Sequence, residues 1–184
     1  MKLLIVDLDG TLFDTKDVNF CAYQEAVGQY GYTMDYDYYC KFCNGRHYQQ
    51  FLPQITTEDP EILSAMHKLK KAAYKKYISH AKINTHLVNI LRLMKAEYKI
   101  ALVTTASKQN CDDLLEQFDL RGLFDLVLTQ DDITCPKPDP EGFLKAMAFF
   151  SATPEETVIF EDSDVGLEAA ERSGAFYYRT YRFH

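Results

Sequence analysis

Two aspartates two residues apart, Asp7 and Asp9, stand at the end of the apolar run Leu3-Leu4-Ile5-Val6 and are followed by Gly10 and Thr11. On a strand, residues two apart project to the same side. The pair would therefore present two anions together, which burial does not tolerate without compensation. A hard divalent cation such as Mg²⁺, which takes oxygen ligands, would relieve the conflict. Gly10 lets backbone come close to a bound group, and Thr11 adds a hydroxyl. An ordinary strand followed by an Asp/Gly turn has the same look, so this segment alone does not decide.

Three later segments do. The apolar run Lys99–Val103 leads into Thr104 and Thr105, followed by Ala106 and Ser107. Cys135-Pro136-Lys137-Pro138 fixes a lysine between two prolines, and Thr157–Phe160 leads into Glu161-Asp162-Ser163. Carboxylates, hydroxyls and a stiffened lysine are the set that phosphoryl transfer needs. A carboxylate attacking a phosphate monoester faces the repulsion of two anions, which a divalent cation and a lysine offset. Hydroxyls and loop N–H groups hold the phosphoryl oxygens. A second carboxylic acid protonates the leaving alkoxide and later activates water. Asp7 and Asp9 supply such a pair.

These residues converge only if the elements around them bring them together. Strands are expected over Leu3–Leu8, Lys99–Thr105, Asp125–Thr129 and Thr157–Glu161, with a last edge strand over Ala175–Arg179. Between them come helices over Thr85–Glu97, with Leu87, Ile90, Leu91 and Met94 on one face, and after Ser107, which caps a helix carrying Leu114, Leu115 and Phe118. Asp139-Pro140 reads as N-cap and N1 of a helix through Phe149; Thr153 and Glu156 form a capping box; a helix over Val165–Arg172 stops at Gly174. Alternating helices and near-continuous apolar strands indicate an α/β fold, a Rossmann-like doubly wound parallel sheet. Such sheets bind ligands beyond the carboxyl ends of their strands, where all four segments end. From Lys16 to about Ala81 the chain is helical, tyrosine-rich and strandless, far too long for a connection. The expected organisation is a core of residues 1–15 and 83–184 with a helical subdomain over 16–82.

DLDGT, the strand ending in Thr104, the Lys137 loop with KPDP, and VIFEDSDVG resemble, in order, the four motifs of the haloacid dehalogenase-like superfamily. DLDGTLFDT and the helical insert are similar to the subfamily of phosphoglycolate phosphatases and β-phosphoglucomutases, in which the insert is a cap. The resemblance implies that Asp7 is the nucleophile, forming an aspartyl-phosphate, and Asp9 the general acid/base. It implies that Thr104 binds the phosphoryl group and Lys137 neutralises it. Mg²⁺ would be held by the Asp7 carboxylate, the Asp9 carbonyl and Asp162, with Glu161 as a further or water-mediated ligand. Gly45-Arg46, after a helix over Tyr38–Phe42, resembles the cap loop that reaches the substrate, and Arg46 matches an anion's geometry. Asn19 stands where the β-phosphoglucomutases place a histidine, and with Thr105 completes the expected substrate contacts. The asparagine favours a phosphatase over the alternative, a sugar phosphomutase. The cap is expected to move on hinges near Thr15 and Ile83.

Composition narrows the partners. The 184 residues carry a net charge of −7, which argues against nucleic acid or an anionic membrane surface. No apolar run reaches the length of a membrane span, and no signal-peptide pattern precedes the first strand. Five cysteines without framework spacing suit a reducing compartment. The expectation is a cytoplasmic monomer or weak dimer acting on a small phosphorylated metabolite. Cys40, Cys43 and His47 lack a fourth ligand for zinc. The basic run Lys68, Lys70, Lys71, Lys75 and Lys76 reads as a solvated helix face, and the many tyrosines between Tyr23 and Tyr77 as subdomain core and rim.

Overall fold

The computed structural model describes residues 2–180. Along the chain come β1 (Leu3–Val6), β2 (Phe13–Asp14), α1 (Lys16–Gly28), α2 (Tyr36–Tyr38), α3 (Tyr48–Phe51), α4 (Pro60–Tyr74), β3 (Lys82–Ile83) and α5 (Thr85–Met94). They are followed by β4 (Lys99–Val103), α6 (Lys108–Gln117), β5 (Leu126–Leu128), α7 (Glu141–Phe150), β6 (Thr157–Glu161), α8 (Asp164–Ser173) and β7 (Phe176–Arg179). The chain divides into two compact units, one formed by the segments through Asp14 and from Lys82 onward, the other by Thr15–Ala81.

The first unit is built on a five-stranded sheet of order β5-β4-β1-β6-β7, in which every pairing is parallel. Leu3 pairs with Lys99 on one side and Thr157 on the other. Parallel neighbours require crossovers, and the helices that make them cover the sheet, so β1 is buried at all four residues. On one face Leu3, Ile5, Ala101, Val103 and Ile159 pack against Phe143 and Met147 of α7 and against Ala169 and Ala170 of α8. Strand order reverses at β1, which makes its carboxyl end the switch point of a doubly wound sheet.

Several elements differ from the sequence reading. The first strand stops at Val6; Asp7 still donates its N–H to the Phe160 carbonyl at 3.0 Å, but Leu8 and Asp9 already lie in a turn. Strand alternation therefore does not set the directions of both aspartates. β4 and β5 are likewise shorter than expected, and α5 ends at Met94, not Glu97. The buried face of α5 is Leu87, Val88 and Leu91, whereas Ile90 is 48% exposed. Its cap fixes that rotation: Asn84 accepts from the Leu87 N–H and donates through Nδ2 to the Thr11 carbonyl. Helix α7 begins at Glu141, with Asp139 still accepting from the Glu141 N–H at 2.9 Å. The antiparallel pairing of β2 with β3, Phe13 with Ile83 and Asp14 with Lys82, was not foreseen.

The second unit contains no strand. Its core joins Tyr23 and Val27 of α1, Tyr39, Phe51 and Leu52, and Leu63 and Met66 of α4. Asp59 caps α4 by accepting from the Glu61 and Ile62 N–H groups, with Pro60 at the first helical position. The expected helix over Tyr38–Phe42 is α2 followed by a π-helical turn, Tyr39–Cys43. The basic run is not wholly solvated: Lys70 is buried, its ammonium 5.2 Å from the Tyr23 ring and 4.8 Å from the Tyr74 ring. His67 stacks on Tyr48 at 4.1 Å and meets the Tyr23 hydroxyl at 3.3 Å. Burial, then the charges of Lys71 and Lys70, push its imidazole down to about 4. Among the described residues, no helix is long and apolar enough to cross a membrane.

Candidate active site

The carboxyl edge of the sheet gathers Asp7, Lys137, Glu161 and Asp162. Lys137 lies on the loop between β5 and α7, and that loop is tied down locally. The Glu141 carboxylate accepts from the Thr134 and Cys135 N–H groups, and Arg172 donates to the Pro138 carbonyl at 2.8 Å. The result is an ammonium aimed inward, with its side chain only 9% exposed. Lys137 Nζ donates to Asp7 Oδ1 at 2.6 Å and to Glu161 Oε1 at 2.8 Å, with the Val103 carbonyl at 3.4 Å. Burial pulls its pKa down, but the charges of Asp7 and Glu161 more than reverse that and hold the ammonium above the ordinary lysine value.

Glu161 closes β6 and is almost wholly buried. While its Oε1 takes Lys137, its Oε2 accepts from the Asp162 N–H, the Ser163 N–H and the Ser163 hydroxyl. Ser163 in turn caps α8, accepting from the Gly166 N–H at 3.1 Å. Space for Glu161 comes from Gly166, where a Cβ would stand 1.8 Å from Oε1. Asp162 accepts from the buried Thr11 hydroxyl at 3.0 Å. Gly10, at φ +88°, brings its backbone so close that a Cβ would lie 2.1 Å from Asp162 Oδ2. Only glycine takes that conformation freely and leaves that room.

The electrostatics are unbalanced. Asp7, Glu161 and Asp162 each offer a carboxylate oxygen within 4.8 Å of the others, and among the described residues the ammonium that pairs with Asp7 and Glu161 is that of Lys137. Burial raises the Asp7 carboxyl well above the ordinary aspartate value, Lys137 opposing and Glu161 adding. Burial, then the Glu161 charge, raises Asp162 to about 6. An all-oxygen donor set with surplus negative charge fits a hard divalent cation, which would supply the missing positive charge.

The other expected residues are placed separately. Asp9 is exposed on the turn after β1, where it adds to the negative field at Asp7. Thr104, one residue past β4, is buried, donates its N–H to the Leu128 carbonyl, and accepts at Oγ1 from the Ala106 N–H. Thr105 beside it is exposed. Asn19 and Arg46 belong to the second unit. Asn19 donates through Nδ2 to the Thr15 carbonyl and hydroxyl, and Arg46 is exposed after Gly45, which has φ +79°. The sequence reading quoted Ser163 and Gly166 within its fourth segment but missed the role of Gly166 in making room for Glu161, and it missed Arg179 and Thr180. The one signal available for Gly166 was a glycine in a helix's first turn, five residues after a buried acid.

A doubly wound sheet with its acidic residues and lysine at the switch point defines a Rossmann-like α/β protein with a reaction site at the carboxyl edge. The chain belongs to the haloacid dehalogenase-like hydrolase family, whose model matches residues 4–179. It is 31% identical to the phosphorylated carbohydrates phosphatase of Thermotoga maritima, over 95% of this chain and 82% of that one. It is 28% identical to the fructose-1-phosphate phosphatase YqaB of Escherichia coli, over 93% of this chain and 92% of that one. The fold is that of CbbY from Rhodobacter sphaeroides in complex with phosphate, with a TM-score of 0.84 at 23% identity, covering 100% of this chain and 87% of that one.

Proposed function

We propose that the protein is a Mg²⁺-dependent phosphatase that hydrolyses phosphate monoesters of small metabolites, sugar phosphates first among them. The observation that carries this reading is Lys137 locked between Asp7 and Glu161 beside Asp162. Phosphatases of phosphorylated sugars among the relatives support it.

In this reading the Asp7 carboxylate attacks phosphorus, an Asp7–phosphorus bond forms, and the bond to the alkoxide breaks. Asp9, on the exposed turn, gives its proton to the departing alkoxide. It then takes a proton from the water that attacks phosphorus and releases Asp7. Lys137 stays protonated and screens the repulsion between Asp7 and the incoming phosphoryl oxygens. Thr104 and the amides that follow it hold those oxygens, and Glu161 keeps Lys137 and the 162–163 backbone in place. The Asp7 and Asp162 carboxylates and the Asp9 carbonyl would hold Mg²⁺, which when bound withdraws charge from the phosphoryl group and keeps both carboxylates ionised. The Thr15–Ala81 unit is assigned the role of a cap that selects the substrate, with Arg46 and Asn19 as its substrate contacts.

The test is a screen of sugar phosphates, nucleotides and phosphorylated small acids for Mg²⁺-dependent phosphate release, with the Asp7→Asn protein alongside. Release is expected on sugar phosphates, abolished by chelation. In the variant it should fall by about a thousandfold or more, while the melting temperature is maintained. No release on any ester overturns the reading. Interconversion of hexose 1- and 6-phosphates that runs ahead of phosphate release replaces it with a phosphomutase.

A further inference from the structure

β7 is an edge strand whose four residues are all exposed, yet the chain leaving it reaches the site. Thr180, one residue past β7, donates its N–H to the Glu161 carbonyl at 2.7 Å and so continues the β6–β7 pairing. Its hydroxyl donates to Thr11 Oγ1 at 3.2 Å, and the Thr11 hydroxyl donates to Asp162 Oδ1 at 3.0 Å. A hydroxyl has a single proton. Thr180 occupies the acceptor side of the Thr11 oxygen, so the Thr11 proton is directed to Asp162. The Asp162 carboxylate is thereby clamped, with Thr11 on Oδ1 and the Gly10 backbone beside Oδ2. A second tie runs in parallel: Arg179 donates to the Asp162 carbonyl at 3.1 Å and to the Asp164 carboxylate.

We propose that Thr180 and Thr11 form a hydroxyl relay that positions the Asp162 carboxylate for a divalent cation, so that the end of the edge strand sets the metal affinity of the site. The proposal rests on the reading of Asp162 as a metal ligand. Thr180 and Thr11 are positioning residues: neither is assigned a contact with substrate or reacting atoms. Carboxylates that bind metals lose affinity when the partners orienting them are removed, by about 10–100-fold for a direct partner. Thr11 is a direct partner and Thr180 acts through it, so the second effect is the smaller.

The experiment is titration calorimetry of Mg²⁺ against substrate-free wild type, Thr180→Val, Thr180→Ser and Thr11→Val, with the melting temperature of each. In parallel, the Mg²⁺ dependence and the KM of sugar phosphate hydrolysis are measured. Thr180→Val keeps the shape and the backbone bond to Glu161 and removes only the hydroxyl. It is expected to weaken Mg²⁺ binding about three- to tenfold, and Thr11→Val by about tenfold or more. Thr180→Ser is expected within about twofold of wild type, with KM at saturating Mg²⁺ unchanged, which a merely structural role would not produce. Wild-type Mg²⁺ affinity in Thr180→Val, or equal weakening in Thr180→Ser, overturns the relay while leaving the phosphatase reading intact. The expected binding pattern in a protein that hydrolyses no ester supports the relay and overturns the phosphatase reading. A wild-type protein that binds no Mg²⁺ overturns the relay together with the assigned cofactor.

Discussion

Substituting Gly166 by alanine drives a methyl group into Glu161. The added Cβ would stand 1.8 Å from Oε1, 2.0 Å from Cδ and 2.5 Å from Oε2. Helix α8 cannot yield without losing the Ser163 cap, so the carboxylate must leave its place. Lys137 then loses its 2.8 Å partner, and the Asp162 and Ser163 N–H groups lose their acceptor. Breaking a buried ion pair costs about 3–5 kcal/mol, and the exchange of glycine for alanine in a helix returns at most about 1 kcal/mol. The expected net destabilisation is about 2–4 kcal/mol, or about 4–16 °C in melting temperature for a chain of this size. Urea and thermal unfolding measure it, with a double-mutant cycle to isolate the clash. In the Glu161→Ala background the methyl meets no carboxylate, so Gly166→Ala should be neutral or stabilising by up to about 1 kcal/mol. Equal destabilisation in both backgrounds, or none in the wild-type background, would refute the reasoning.

At Gly10, alanine must adopt φ +88° and place its Cβ against Asp162 Oδ2; about 1–2 kcal/mol of stability and about tenfold or more in Mg²⁺ affinity should be lost, and an unchanged Mg²⁺ titration would contradict this. His67 gives a pH signature. Its pKa falls from the ordinary 6.5 to about 4 on folding, so between those values the unfolded chain binds a proton that the folded chain does not. Stability from this group is present above about pH 6.5 and is lost as pH falls through about 4, in total at most about 3 kcal/mol and less once solvent screening at this half-exposed ring is counted. His67→Phe keeps a ring on Tyr48 and removes the titration, so denaturation across this range should show a shallower acid loss than wild type; parallel curves would count against it.

How much of this was legible depends on the length of the signal. β6 was readable to the residue because four apolar or β-branched positions are bounded by a capping box and an acidic pair. The pairing of β2 with β3 was not, because two residues carry no period. Leu8 extended the first strand on paper because it is apolar; in the protein it is fully buried but inside the turn that carries Asp9 outward. Ile90 looked like core because periodicity fixes a helix face only to within one neighbour, and the Asn84 cap decided the rest. Lys137 between prolines announced itself. The partners that hold it did not: Glu141 and Arg172 act through hydrogen bonds to the loop backbone, and Gly166 through the room that it leaves Glu161, marked only by its place in a helix's first turn.

The central place of β1 has a consequence for the protein's synthesis. The strand that leads into Asp7 is made before both of its neighbours, Lys99–Val103 and Thr157–Glu161. The Thr15–Ala81 unit can close on itself as soon as it emerges. β1 cannot, and its four apolar residues stay unpaired until β4 and β6 have been made. Long-range parallel pairing of this kind folds slowly and leaves strand edges open to other chains. A nascent chain stopped before β6 has Asp7 but neither Glu161 nor Asp162. The acidic edge therefore comes into being all at once, when β6 is made, and the nascent chain is in most need of chaperoning just before that.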